Sequence, residues 1–527
     1  MAVEFSLQLP SSRRARLGLY AALIASWVLV ISLLFTTLQH PQIVSGVAHY
    51  VVSAVRPGLG LDQVTKAKLE RLETLEEQAN AYVVAHGRCD PHLSTLLEDL
   101  DARWGRTALD MSVGFEGSGI RVRRVAQKLL AGERVGITVL GGSITFGHSI
   151  PEGGRPWPIL LAEQLKRAFP KANVHLENNA IGATGSDYFG ACYPHHTAEG
   201  TDLFLLEFAV NDAIIEMAAQ HKLDTIWHSE HLVRAIGHTH PDAALVFLST
   251  WQRPQHYMTG ADAHATVSEY YDIPRVSSRT FLYRYMLQHR DEIEDHYVPS
   301  DNYSHQNQKG HQYMADIMFR YILQQACRVQ GAGGVLEQLV REAVTEPVTG
   351  FRGSQLPSAY DPWSLPPLRV RQRIEDQELL PDAKPFCSSV RVRIQDGSAH
   401  GQPQLQPSAN NGYEQFEWND KWFWKSENAG SQITFPNITV VDGTISLYFL
   451  RSWGHDMGDL LCWVDNDEGN AALLTGWWGF VSVGARQLVS QDIKPGTHSL
   501  TCRSQEAKAH NDEKPGTRTQ IIAVMAT

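Results

Sequence analysis

The sequence predicts an α/β protein carrying a second, all-β domain and one membrane-spanning helix. Three observations lead there. A charge-free apolar run covers Leu17 to Leu38. From about residue 130, strand-like and helix-like segments alternate, the pattern of a parallel sheet covered on both faces. Beyond a proline-rich stretch the chain changes to short apolar runs separated by Gly, Asn and Asp, the pattern of a β-sandwich.

The N-terminus comes first. Residues 1–16 form a tail ending in Arg13, Arg14 and Arg16. The run 17–38 is long enough to cross a bilayer as a helix, and it exceeds the apolar core of a cleaved signal peptide. The basic tail places the N-terminus in the cytosol and everything after residue 39 in the lumen or outside the cell. The expectation is an uncleaved, single-pass signal anchor in the secretory pathway. Residues 39–130 read as a stem and helical lead-in. Within them Leu69, Leu72, Leu75, Ala79 and Val83 form an apolar stripe over 64–84.

The next unit is residues 131–330. Strands are expected at 136–140, 173–177, 202–208 and 243–248, with helices at 157–169 and about 309–328. Residues 331–386 read as a linker punctuated by Pro347, Pro357, Pro362, Pro366, Pro367, Pro381 and Pro385. Residues 387–527 are the β-sandwich. Eight of the 13 tryptophans are at 363, 418, 422, 424, 453, 463, 477 and 478. Buried, they fill the sandwich core; exposed, they offer a surface for stacking sugars.

Composition limits the function. A hydrophobic content of 43% suits a folded protein, and the net charge of −11 argues against a nucleic-acid partner. Six cysteines, Cys89, Cys192, Cys327, Cys387, Cys462 and Cys502, permit a full disulfide set, with Cys462–Cys502 the preferred pair. No CxxC spacing and no phosphate-binding Gly-Lys-Ser/Thr motif occurs, so neither a metal nor a cofactor is expected. The acidic run Asp465–Asn470 reads as a turn rather than a calcium loop. Asn302-Tyr303-Ser304 and Asn437-Ile438-Thr439 are glycosylation sequons, and His195-His196 are expected on a loop near the site.

Four segments carry chemistry, in a fixed order. Gly141-Gly142-Ser143 follows the strand-like Ile137–Leu140, so a serine hydroxyl stands at the C-terminal end of a parallel strand. Asn179-Ala180-Ile181-Gly182-Ala183-Thr184 is second. The strand 202–208 then leads into Ala209-Val210-Asn211-Asp212. Ser300-Asp301-Asn302-Tyr303-Ser304-His305, followed by Gly310-His311, is last.

This order, over residues 135–325, resembles the SGNH (GDSL-like) hydrolase superfamily, whose blocks supply a serine, a glycine, an asparagine and a histidine. The spacing, and the segment Tyr271-Asp272-Ile273-Pro274, look closest to fungal-type membrane-anchored members with a C-terminal β domain. The resemblance implies a three-layer α/β/α sandwich and acyl-ester chemistry. Ser143 would be the nucleophile and His305 its base, with His311 a structural part of the same block. The oxyanion hole would be the backbone N–H groups of Ser143 and Gly182 with the Asn211 amide, Gly185 being the rival to Gly182.

Two positions depart from the pattern. Glycine, Gly142, stands where the family has aspartate in Gly-Asp-Ser. Asn302 occupies the position three before the histidine, where the family has the aspartate of the triad, and Asp301 lies one residue earlier. Asp301 orienting His305 and a serine–histidine dyad both remain open. The resemblance and the lumenal placement imply a serine esterase acting on O-acetyl groups of glycans. The alternatives are a Golgi polysaccharide O-acetyltransferase using the same residues and an inactive glycan-binding or scaffold protein.

Overall fold

The computed structural model describes residues 89–218, 224–301, 303–331, 364–376, 385–391, 405–418, 421–454, 456–479, 481–507 and 516–527. The apolar run 17–38, the stem and stripe before residue 89, Asn302, Trp363 and most of the linker lie outside the described residues. Among those described, no helix is long and apolar enough to cross a membrane.

The α/β part is built on β1 (Val113–Phe115), β2 (Arg134–Gly141), β3 (Asn173–Asn178), β4 (Thr201–Glu207), β5 (Ala244–Ser249) and β6 (Arg275–Ser277). Among the described residues these form one sheet in the order β1-β6-β5-β4-β2-β3. The pairs from β3 through β6 are parallel, and β1 closes the edge antiparallel to β6. β2, β4 and β5 read as continuous apolar runs because both of their faces are buried. Val135, Ile137 and Val139 enter one apolar layer with Leu203, Leu205, Val246 and Leu248. Leu140, Phe204, Leu206, Leu245 and Phe247 enter the other.

The first layer is covered by helices Pro91–Trp104, Ile120–Ala131, Trp157–Ala168 and Gln308–Gly331. The Cys89–Cys327 disulfide and the Arg103–Asp316 ion pair bind the lead-in to the last of these. The second layer lies under helices Ser186–Cys192, Asp224–Thr239 and Gly260–Tyr270.

The all-β part comprises β7 (Phe386–Ser389), β8 (Ala409–Asn411), β9 (Glu414–Trp418), β10 (Lys421–Ser426), β11 (Gln432–Val440), β12 (Ile445–Arg451), β13 (Asp459–Val464), β14 (Ala472–Leu474), β15 (Val483–Ser490), β16 (Gly496–Gln505) and β17 (Thr519–Ala526). One sheet runs β15-β12-β17-β10-β9 with β7 also on β17, and the other β14-β13-β16-β11-β8. The preferred disulfide Cys462–Cys502 forms between paired positions of β13 and β16. Trp424 and Trp463 are buried, whereas Trp418 and Trp453 are 52% and 61% exposed, so the tryptophans divide between core and surface.

The two parts share a core. The apolar layer under helix Ser186–Cys192 continues into the sandwich through Phe423, Tyr448, Ile522 and Val524. The Cys192–Cys387 disulfide crosses the seam. His195 and His196 belong to this seam and not to a loop at the active site. His195 Nε2 bonds the Cys387 carbonyl at 3.0 Å, and His196 meets the Tyr188 hydroxyl at 3.0 Å. Asn437 is exposed at a bulge of β11, with φ of 59°.

Candidate active site

β2 lies between β3 and β4, so the chain leaves β2 on one side for β3 and returns on the other at β4. That is a topological switch point, where the loops at the strand ends separate and leave a crevice. Ser143 follows β2, the segment 179–184 follows β3, and Asn211 follows β4.

The serine turn is fixed from below. The Gly142 N–H donates to the Glu207 carbonyl at 3.2 Å, and the Asn178 amide donates to the Thr145 carbonyl at 2.8 Å. Thr145 Oγ1 donates to the buried Glu207 carboxylate at 2.8 Å and accepts the Trp157 indole N–H at 3.1 Å. Burial pushes the Glu207 carboxyl up, against the pull of the Thr250 and Thr145 hydroxyls. Ser143 opens the short helix Ser143–Phe146, so its N–H has no acceptor within the helix.

His305 reaches the serine from the other side of the crevice. Ser143 Oγ donates to His305 Nε2 at 2.8 Å, and His305 Nδ1–H donates to Asp301 Oδ2 at 2.7 Å. A carboxylate only accepts, which puts the ring proton on Nδ1 and leaves Nε2 basic. Asp301 Oδ2 also accepts the Ser149 hydroxyl at 2.8 Å, and Oδ1 accepts the Ser304 N–H at 3.1 Å. The loop itself hangs on Trp251, whose carbonyl accepts from the Tyr297 hydroxyl and the Gln306 amide at 2.8 and 2.9 Å. His311 is apart from this chain. It is buried and accepts the Trp157 N–H at Nδ1, 3.1 Å, and burial pushes its ring down to about 3.

The asparagine and glycine of the pattern face the same crevice. Asn211 Nδ2 donates one hydrogen to the Thr184 carbonyl at 2.8 Å, which orients the amide and leaves its second hydrogen available. Gly142 explains itself here. A Cβ at that position would sit 2.1 Å from Asn211 Nδ2, so the aspartate of a Gly-Asp-Ser turn has no room beside this asparagine. The neighbouring Asp212 is a brace: it accepts the Ser186 N–H at 2.8 Å and the His264 Nε2–H at 2.7 Å, all buried. A Cβ on Gly182 would meet His148 Nε2 and Lys421 Nζ at 3.0 Å each, so this glycine lines the crevice. Gly185 instead caps the N-terminus of helix Ser186–Cys192.

The sandwich also contributes to the crevice. Ala183 holds a left-handed φ of 58°, costing an alanine about 1–2 kcal/mol, and its carbonyl is fixed by the Gly484 N–H of β15 at 3.2 Å. The Arg391 guanidinium, buried two residues beyond β7 and lying over the Phe423 ring, donates to Thr184 Oγ1 at 3.1 Å. Lys421 of β10 stands over Gly182. Burial, and then Arg391, push its ammonium down to about 8. His148, whose ring centroid is 5.7 Å from that of His305, is pushed down by burial, then by Lys421 and His305. No local motif marks these residues. His148 is five positions past the serine, and Arg391 and Lys421 come from another domain.

The arrangement can move a proton from a hydroxyl to an imidazole held by a carboxylate, beside donors aimed into a crevice. Comparison with known proteins adds the fold. The chain is similar to the crystal structure of a two-domain esterase active on acetylated mannans, co-crystallized with mannopentaose. The TM-score is 0.55 at 18% identity, over 79% of this chain and 97% of that one. A second structure of an esterase so described gives 0.53 at 19% identity, over 79% and 98%. At these identities the likeness establishes the shared two-domain fold. No protein-family model matches the chain, and no curated protein does.

Proposed function

We propose that this chain is a serine esterase of the SGNH superfamily that removes acyl groups, O-acetyl groups above all, from glycans. The observation that carries the reading is the unbroken hydrogen-bonded chain Asp301–His305–Ser143. It supports a triad shifted by one residue, and it weighs against the dyad and against an inactive scaffold.

In this reading Ser143 Oγ attacks the ester carbonyl carbon as its proton passes to His305 Nε2. Asp301 stabilises the imidazolium. The negative charge reaches the carbonyl oxygen, where the N–H groups of Ser143 and Gly182 and the free Asn211 N–H receive it. The ester C–O bond breaks, and the sugar oxygen leaves with the proton from His305. Water then attacks the acyl-enzyme, giving one proton to His305, which returns it to Ser143 as acetic acid leaves and then ionises in solvent.

A glycan substrate draws support from the neighbour's activity on acetylated mannans and from the exposed Trp418 and Trp453. The N-terminal run 17–38 anchors the enzyme with its site in the lumen of the secretory pathway. The test is acetate release from a small acetyl ester and from acetylated glycans, with fluorophosphonate labelling, in the wild type and Ser143→Ala. Release and labelling that both vanish in the variant are expected. Labelling with acetyl transfer to an added sugar, and no free acetate, would instead establish the transferase.

A further inference from the structure

The crevice holds two basic side chains that the triad does not use. Lys421 Nζ and His148 Nε2 converge on the face of Gly182, each 3.0 Å from where its Cβ would be. Gly182 bears one of the proposed oxyanion donors, so this pair flanks the bond to be cleaved. Among the described residues, no carboxylate pairs with Lys421, His148 or Arg391; Arg391 donates to a hydroxyl, Thr184 Oγ1. Asp301, the acid whose charge acts on His148, is committed to His305 and Ser149. Burying an ammonium is costly unless an anion pairs with it, and such a site is stabilised when an anion arrives from outside.

The sandwich frames the same spot with a stacking surface. Lys421 pairs across β9 and β10 with Trp418, so both side chains lie on one face of the sheet, the ammonium 5.9 Å from the indole ring. Trp418 is 52% exposed and can take the face of a sugar ring.

We propose that Lys421 and His148 form an anion subsite beside the scissile ester, with Trp418 as its platform, so that the preferred substrate is an acylated acidic glycan. The group bound is a negatively charged sugar substituent, a uronate carboxylate or a sulfate ester. This rests on the esterase reading above and names the substrate class of that site.

The experiment uses the full chain and three polymers acetylated chemically to one degree: a glucuronoxylan, its carboxyl-reduced form, and the reduced form after sulfation. The wild type is expected to lose about tenfold or more in kcat/KM on carboxyl reduction, the size of one charge-assisted hydrogen bond. Recovery on sulfation identifies any anion as sufficient; no recovery identifies the carboxylate. Lys421→Gln should erase the preference and Lys421→Arg should keep it. Equal kcat/KM on the native and reduced polymers, or a full preference surviving in Lys421→Gln, overturns the subsite alone. No release by the wild type from any polymer or small ester, with Ser143 unlabelled, overturns the esterase reading and the subsite with it.

Discussion

The carboxylate of Asp301 accepts the Nδ1–H of His305 at 2.7 Å across a spacing of four residues. The turn between them makes this reach possible. Tyr303 sits in the left-handed region, with φ of 59°, and the Ser304 N–H folds back onto the Asp301 carboxylate at 3.1 Å. One acid thus shapes the loop and orients the base.

Asp301→Asn should therefore lower kcat by about 10³ to 10⁴ with little change in KM, since an amide can donate to Nδ1 and stabilise the wrong tautomer. Steady-state kinetics on a small acetyl ester checks this. A loss under tenfold would mean that a serine–histidine dyad suffices.

Arg391 should act as a positioning residue. Its bond to Thr184 Oγ1 holds the segment whose carbonyl orients Asn211 and which contains the strained Ala183. Arg391→Leu is expected to cost about tenfold or more in kcat, by letting oxyanion donors drift. Arg391→Lys keeps a donor and should recover part of that loss, which a purely structural role would not produce. Equal kcat for the two variants, at equal thermal stability, would refute the role.

How much was legible depended on how locally each feature is encoded. β2, β4 and β5 stood out because burial on both faces makes most of their central positions apolar. β6 did not, since Arg275-Val276-Ser277 holds one apolar residue and lies in the sheet only because β1 and β5 pair with it. Ser143, Asn211 and His305 were legible as ordered blocks. Asp301 was legible only as a candidate, because a turn geometry decides between it and the following residue. Lys421 and Arg391 were beyond reading, as a seam between two domains brings them to the site and no spacing along the chain records it.

Gly142→Ala tests the steric account of the altered nucleophile block. The new methyl would lie 2.1 Å from Asn211 Nδ2, so the amide must move off the crevice. The backbone at Gly142 has φ of −94°, open to any residue, so the cost to folding is that of displacing the buried Asn211 amide from the Thr184 carbonyl, about 1–3 kcal/mol. Removing one oxyanion donor costs about 10² to 10³ in kcat. Ser143 should still label with fluorophosphonate, more slowly. A fully active Gly142→Ala, comparable to the wild type, would remove Asn211 from the reaction.

The seam should also leave a mark on stability against pH. Asp187, fully buried in helix Ser186–Cys192, accepts the Tyr188 N–H at 2.9 Å and the Arg486 N–H of β15 at 3.1 Å. Burial, and then Asp212, push its carboxyl up to about 7. Unfolded, it ionises near its ordinary value of about 3.9. Between these values the unfolded chain has released a proton that the folded chain keeps, so stability falls as pH rises from about 4 to about 7 and then levels. The loss from this one group reaches at most about 4 kcal/mol. Asp187→Asn cannot ionise, so its thermal midpoint should decline less over that window. Glu207, raised by burial in the same direction, keeps some slope in the variant. Midpoints by calorimetry at half-unit steps decide it: curves that converge on, or cross, the wild type above pH 7 are expected. Parallel curves would mean that Asp187 is ionised in the folded protein, held by Arg486 across the seam.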